Sequence, residues 1–133
     1  GERFEKIRKL LEVTDLVMLD IKHIDDEQHK ILTGQTNRNI LDMARYLDEI
    51  GKPMWIRHVL VPERSDKDEY LIRLDAFIQS LHNVQKVEVL PYHTLGAYKW
   101  KELGYEYPLE GIDPPTQERI KNANQLLHTG ARV

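Results

Sequence analysis

The 133-residue sequence contains no cysteine. This absence excludes disulfide bonds, thiolate nucleophiles and cysteine-ligated zinc or iron–sulfur centres within these residues. No apolar run approaches the roughly 18 residues that a membrane-spanning helix needs. The signatures G-x-G-x-x-G, P-loop Gly-Lys-Ser/Thr and G-x-S-x-G are missing as well. The common short motifs of nucleotide binding and hydrolysis therefore give no function for this chain.

The chain also lacks a strong excess of charge of either sign. It has 22 acidic and 19 basic residues and a net charge of −3, so its surface has no electrostatic attraction for nucleic acid or anionic lipid. The 41% hydrophobic and 31% charged residues are typical of a soluble globular domain. Because the sequence starts at Gly1 without an initiator Met, we expect a single domain over 1–133 that is part of a larger protein.

Helical and strand-like segments alternate along the sequence. The first strand is predicted over 16–22, where a continuous apolar run favours burial on both faces. The other predicted elements are a helix over 2–13, a short helix over 25–34, a helix capped by Asn39 and stopped by Gly51, a strand over 54–61, a helix opened by a capping box of Ser65 and Asp68, a strand over 86–91, and a last helix from Thr116 to Gly130.

This order predicts an α/β fold made of three (β/α) units of parallel sheet with right-handed crossovers. The sheet is either an open one of three or four strands or an arc of a larger barrel. An arc leaves one strand edge unpaired, which favours association with a second copy of the chain.

Ligands of parallel α/β sheets bind at the carboxyl ends of the strands. The three predicted strands place Asp20, Lys22, Arg57, Val59 and His93 toward that end. This set suits a ligand with a carboxylate, an ammonium group and hydroxyls. A simpler interpretation is that polar strand ends merely reach water, with Asp20 and Lys22 forming a surface ion pair.

The remaining polar and aromatic residues point less clearly to chemistry. The six histidines show no metal-ligand spacing, and His82 and His128 suit the C-terminal ends of helices. The long connection 94–113 is rich in aromatic residues, with Tyr98 and Trp100 in its first part. It either packs over the end of the sheet or forms a surface for a partner.

Several segments together resemble the pyruvate formate-lyase activating enzymes. They are Leu10 to Lys22, Trp55-Ile56-Arg57 through Val61-Pro62, Leu90-Pro91-Tyr92-His93 with Leu95-Gly96 and Lys99-Trp100, and Pro114-Pro115. The resemblance covers about residues 10–130, and the combination is specific although each motif alone is weak.

The resemblance implies a radical S-adenosylmethionine (SAM) oxidoreductase with an incomplete (β/α)₆ barrel. Such an enzyme holds a [4Fe–4S] cluster on C-x-x-x-C-x-x-C, cleaves SAM to a 5′-deoxyadenosyl radical, and leaves a glycyl radical on pyruvate formate-lyase. It also implies anaerobic metabolism in the cytoplasm, with flavodoxin or ferredoxin as electron donor. Because cysteine and a Gly-Gly-Glu motif are absent, the chain resembles the C-terminal half, and we expect it to be inactive alone.

The resemblance also assigns site residues. The positions that match SAM contacts are Asp20, Lys22, Arg57, Val59 and His93. Arg57, His93, Tyr98 and Trp100 are candidates for contact with the substrate peptide, while Asp20 and the carbonyl of Met18 match a monovalent-cation site. No residue here is expected to be catalytic by itself.

Two alternatives remain open at this point. One is an activase for another glycyl radical enzyme, such as a dehydratase, a decarboxylase or an anaerobic ribonucleotide reductase. The other is a non-enzymatic α/β module that binds a small anionic ligand.

Overall fold

The computed structural model describes residues 5–6, 16–92 and 113–131. The elements are β1 (Val17–Asp20), α1 (Asp26–Thr33), α2 (Arg38–Glu49), β2 (Met54–Leu60), α3 (Asp68–Gln79), β3 (Val84–Pro91), α4 (Gln117–Leu126) and β4 (Gly130–Ala131). Glu5 and Lys6 are helical, whereas the rest of the helix predicted over 2–13 lies outside the described residues. The alternation of strands and helices confirms the predicted α/β class.

The sheet has the order β1-β2-β3-β4. The first three strands are parallel, as predicted, and adjacent in chain order. The short β4 is antiparallel to β3 and was not predicted, since the last helix was expected to run to Gly130. That helix ends earlier, and Gly130 at a φ of 110° lets the chain return along β3.

The hydrophobic core lies between one face of the sheet and the helices. Along β2 the side chains alternate, so that Ile56 is fully buried while its neighbours are partly exposed. The strand and helix residues that form the core are Leu19, Ile21, Met54, Ile56, Leu60, Val84 and Val87 with Ala44, Leu47, Leu71, Leu74, Ile78, Ala123 and Leu127. Because the helices cover one face, the prediction that β1 is buried on both faces is wrong: Leu19 is 5% exposed but Met18 is 48% exposed.

Two helix starts also differ from prediction. Asn39 lies inside α2, and the preceding Asn37 instead donates its side-chain amide to the carbonyls of His23 and Ile24. Ser65 does not cap α3. Its hydroxyl accepts the amide of Val61 and donates to the carbonyl of Val59, which holds the turn after β2. The predicted cap at Asn39 is thus two residues too late, and the hydroxyl predicted to cap α3 is used by the turn before that helix.

Other helix ends follow the local chemistry of the sequence. Asp25 accepts the amide of Gln28 at the start of α1, and Thr116 accepts the amide of Arg119 at the start of α4. Gly34 ends α1 at a φ of 74°, a left-handed conformation that glycine adopts without strain. Within the described ranges, no helix combines the length and the hydropathy needed to cross a membrane.

Candidate functional site

The face of the sheet opposite the core carries the predicted site residues, and we call it the site face. It is defined by Met18 and Asp20 of β1, Trp55, Arg57 and Val59 of β2, and Lys86, Glu88 and Leu90 of β3. The strand register arranges these side chains in rows across the sheet, because residues paired between parallel strands lie side by side. One row consists of Asp20, Arg57 and Glu88.

Asp20 and Arg57, both predicted as site residues, form a bidentate ion pair. The Nε of Arg57 donates to Oδ1 of Asp20 at 2.7 Å, and Nη2 donates to Oδ2 at 3.0 Å. The hydrogen bond that Arg57 donates to Asp20 raises the pKa of Arg57 further, so the guanidinium is always charged. The side chains are 30% and 48% exposed, so the pair adds little stability and mainly fixes the orientation of both groups.

Lys22 follows β1 and is half-buried. Burial lowers the pKa of Lys22, and the nearby carboxylate of Asp20 opposes this by favouring the ammonium form. The charge of Lys22 in turn lowers the pKa of His29, after the larger effect of burial. The structure therefore differs from the Asp20–Lys22 surface ion pair considered from the sequence. The carboxylate of Asp20 accepts hydrogen bonds from Arg57 and stabilises the charge of Lys22 electrostatically.

The carbonyl of Met18 lies at the outer edge of β1. The amides of Val17 and Ile21 both donate toward β2, at 3.2 and 2.9 Å. Since backbone groups of successive strand residues alternate in direction, the backbone groups of Met18 and Asp20 point away from β2. In the described ranges no three acidic, histidine or cysteine side chains group together around a metal position.

Three histidines near the carboxyl ends of β1 and β2 have structural roles. His23 donates through Nε2 to the carbonyl of Arg64 at 2.8 Å and accepts the amide of Asp25 through Nδ1. His29 donates to the carbonyl of Gln35, and His58 donates to the carbonyl of Ile21, both at 2.6 Å. All three rings are buried.

These histidines predict that the chain loses stability below about pH 6.5. Burial lowers the pKa of His23 to about 4 and also lowers the pKa values of His29 and His58. The unfolded chain takes up these protons from about pH 6.5 downward, while the folded chain does not, so each histidine costs up to about 1.4 kcal/mol per pH unit. Urea denaturation at pH 7.5, 6.5 and 5.5 measures this slope.

A His58→Asn variant provides the matched control for this slope. Asparagine keeps a donor for the Ile21 carbonyl but does not titrate. The free energy of unfolding of the variant should therefore depend less steeply on pH between 6.5 and 5.5, by the equivalent of about one proton. The aspartate side chains titrate at lower pH, because the unfolded carboxyl pKa is about 3.9. A slope that is the same in both proteins would contradict this account.

The sequence analysis missed Glu88 and the pair formed by Trp55 and Lys86. The Nζ of Lys86 lies 4.9 Å from the centre of the Trp55 ring, a cation–π contact on the site face. The missed signal is the two-residue alternation along β3, which places Lys86, Glu88 and Leu90 on one face. Lys86 and Glu88 lie within the third strand, whereas the site residues were predicted from the strand ends.

A separate cavity of about 270 Å³ lies beyond the end of β2. It is lined by Pro62, Glu63, Asp66, Asp113, Pro114, Pro115, Thr116 and Arg119. None of the predicted site residues that the structure describes is among this lining. The predicted site residues His93, Tyr98 and Trp100, with the aromatic connection up to residue 112, lie outside the described residues.

The model of the radical SAM superfamily matches residues 1–74, more than half of the chain. The chain belongs to the radical SAM superfamily. Curated relatives include pyruvate formate-lyase-activating enzymes of Streptococcus mutans, 60% identical over 94% of this chain and 48% of that protein, and of Listeria monocytogenes, 52% identical over 98% and 52%. The chain thus spans about half the length of the curated relatives it matches.

Solved structures support the fold of this radical SAM chain. A domain of a pyruvate-formate lyase-activating enzyme from Bacteroides vulgatus superposes with a TM-score of 0.76 at 21% identity, covering 93% of this chain and 68% of that one. A radical SAM methyltransferase from Sphaerobacter thermophilus superposes with a TM-score of 0.58 at 17% identity, covering 84% and 30%. At these identities the likeness concerns the fold alone.

Superfamily membership implies SAM and a [4Fe–4S] cluster in the complete enzyme. The residues of this chain do not fit the cluster, because none of the 133 is a cysteine. They do fit part of a SAM site. The site face offers a carboxylate, a guanidinium and a neighbouring ammonium group, which match the ammonium, carboxylate and hydroxyl groups of SAM.

Proposed function

We propose that this chain is the C-terminal part of an activase that uses SAM to generate a glycyl radical on pyruvate formate-lyase. The observation that carries the proposal is the Asp20–Arg57 pair on the site face of a chain 60% identical to one such activase. Residues 1–133 would form one domain, the second half of an incomplete (β/α)₆ barrel. The site face would then line the inside of the barrel.

In this proposal the residues of the site face bind and orient SAM. Arg57 and Lys22 offer cationic donors to its carboxylate, and Asp20 offers acceptors to its ammonium group or to a hydroxyl. Val59 gives an apolar surface beside them, and His93 completes the set. SAM held by these residues would supply the hydrogen-abstracting chemistry that the target glycine needs.

Arg57 would orient the reacting molecule through its charged donors, which a carboxylate partner on the site face, Asp20 in this structure, aligns. Arg57, His93, Tyr98 and Trp100 would also meet the peptide that carries the glycine. Met18 and Asp20 would hold a monovalent cation at the outer edge of β1. The cluster ligands come from outside these residues, and flavodoxin or ferredoxin in the cytoplasm would supply the electron.

Anaerobic activation of purified pyruvate formate-lyase tests this function. The complete protein that carries these residues is mixed with SAM, a reductant and pyruvate formate-lyase, and the glycyl radical is quantified by electron paramagnetic resonance. We expect a radical signal that Arg57→Ala reduces by at least about 100-fold, since a charged contact contributes about 1.5–3 kcal/mol and orientation adds to it.

A matched control is Glu69→Gln, which removes a charge from the exposed part of α3 and should leave the signal unchanged. A panel of other glycyl radical enzymes belongs in the same experiment. A signal with a dehydratase or decarboxylase and none with pyruvate formate-lyase would change the target but keep the reaction. No signal with any of them would leave the small-anion binding module as the better description.

We also propose that the 133-residue chain self-associates through the outer edge of β1. Among the described strands, β1 pairs with β2 alone, so the backbone groups of Met18 and Asp20 are open to another strand. Light scattering at high concentration is expected to give a mass above that of a monomer. Met18→Lys should lower the mass, because a charge on an edge strand opposes pairing.

The control for self-association is Ile72→Lys. Ile72 is 56% exposed, close to the 48% of Met18, but it lies on α3. This variant should associate like the parent chain. A monomeric mass for the parent chain, or an equal fall in both variants, would rule out the β1 edge as the contact.

A further inference from the structure

Glu88 stands beside Arg57 on the side opposite Asp20. The strand register pairs Arg57 with Asp20 on β1 and with Glu88 on β3, so one guanidinium lies between two carboxylates on the same face. Arg57 donates to Asp20 in this structure, while the charge of Glu88 favours the guanidinium electrostatically. The row Asp20, Arg57 and Glu88 has formal charges of −1, +1 and −1.

The pair with Arg57 limits what Asp20 can bind. Both oxygens of Asp20 already accept a bond from the guanidinium, at 2.7 and 3.0 Å. A cation or an ammonium group arriving at Asp20 would lie a few ångströms from the positive charge of Arg57 and be repelled by it. Binding of a cationic group there is therefore favoured when Arg57 withdraws or when another group neutralises its charge.

We propose that Glu88 is a positioning residue that accepts Arg57 when Asp20 binds a cationic group, the ammonium of SAM in the site proposed above. Neighbouring strands lie about 4.8 Å apart, so a rotation of the long arginine side chain exchanges one carboxylate for the other. The exchange replaces one charge-assisted pair by another. The exchange costs little free energy, and the net charge of the row Asp20, Arg57 and Glu88 is unchanged until the cationic group binds. The identity of the ligand in this inference rests on the proposed function. The two positions of Arg57 do not depend on that function.

Nuclear magnetic resonance of the Arg57 Nε–H group tests the two positions without SAM. The complete protein is labelled with ¹⁵N, the signal is assigned by its loss in Arg57→Lys, and its exchange with water is measured. In Asp20→Ala, Glu88 should hold the guanidinium, so exchange stays within about threefold of the parent. In Asp20→Ala/Glu88→Gln it should be at least about tenfold faster, as expected when a charge-assisted bond is lost.

The double variant Asp20→Ala/Glu69→Gln is the control for charge, because Glu69 lies on α3 away from the site face. It should behave like Asp20→Ala. If Asp20→Ala alone exchanges as fast as Asp20→Ala/Glu88→Gln, Glu88 does not accept Arg57 and the inference fails. That result would leave the proposed function untouched.

Calorimetry of SAM binding to the complete protein tests whether Glu88 contributes to the affinity for SAM. Glu88→Gln should weaken SAM binding about tenfold, Glu88→Asp should restore part of the affinity, and Glu69→Gln should have no effect. Affinity in Glu88→Gln within twofold of the parent would overturn the inference. If the parent protein binds no SAM, the proposed function fails, and the exchange measurement still decides whether Arg57 has two positions.

Discussion

Shortening Ile56 to alanine is expected to lower the free energy of unfolding by about 2–5 kcal/mol. Ile56 is 0% exposed on β2, the strand between β1 and β3, and its register partners are Leu19 and Val87. Alanine removes apolar atoms from the centre of the core and leaves a cavity that strands paired on both sides cannot close. Urea denaturation with a two-state fit measures the change.

Two variants define what this result means. Ile56→Val keeps most of the volume and should cost about 0.5–1.5 kcal/mol. Ile72→Ala makes the same chemical change at a side chain that is 56% exposed, and it should change stability by less than about 0.5 kcal/mol. Equal losses at Ile56 and Ile72 would contradict the position of the core described above.

Reconstitution of the 133-residue chain with iron and sulfide under anaerobic conditions is expected to yield no [4Fe–4S] cluster. The reason is the donor set: such a cluster is held by cysteine thiolates, and this chain has none. The rings of His23 and His58 are buried, and each donates to a backbone carbonyl. Absorbance and electron paramagnetic resonance after gel filtration measure the outcome.

The control for cluster assembly is the complete protein that carries these residues, treated in the same way. It should gain a stoichiometric cluster if the proposed function is right. A stoichiometric [4Fe–4S] signal on the 133-residue chain itself would show that the reasoning from its donor atoms is wrong. Failure of the complete protein alone would count against the proposed function instead.

The local sequence pattern was sufficient to predict elements that are marked by a hydrophobic pattern or by capping and turn residues. The strand predicted over 54–61, ended by Pro62, is present as β2, and the glycine and acidic signals around Asp25 and Gly34 predicted α1. Such signals act over one or two helical turns, so they are visible in a single segment. The pairing order of the first three strands followed from the alternation of strands with helices.

The errors came where a contact outside the helix, or a partner on another element, decided the local structure. Asn37, just before α2, bonds to the carbonyl of His23, and Ser65 bonds within the turn after β2, so the helix starts expected at Asn39 and Ser65 were wrong. The short β4 is held by β3 and has no signal of its own in two residues. The exposure of Met18 depends on which face of the sheet the helices cover, and a run of apolar residues does not indicate which face that is.

The sequence by itself determined the kind of fold, the absence of cluster ligands and the two residues, Asp20 and Arg57, that lie at adjacent strand ends. Their bidentate contact and the place of Glu88 beside it were decided by the tertiary structure. The physical reason is strand register. It joins residues 37 positions apart into one ion pair, and a single-residue shift would send either side chain to the opposite face.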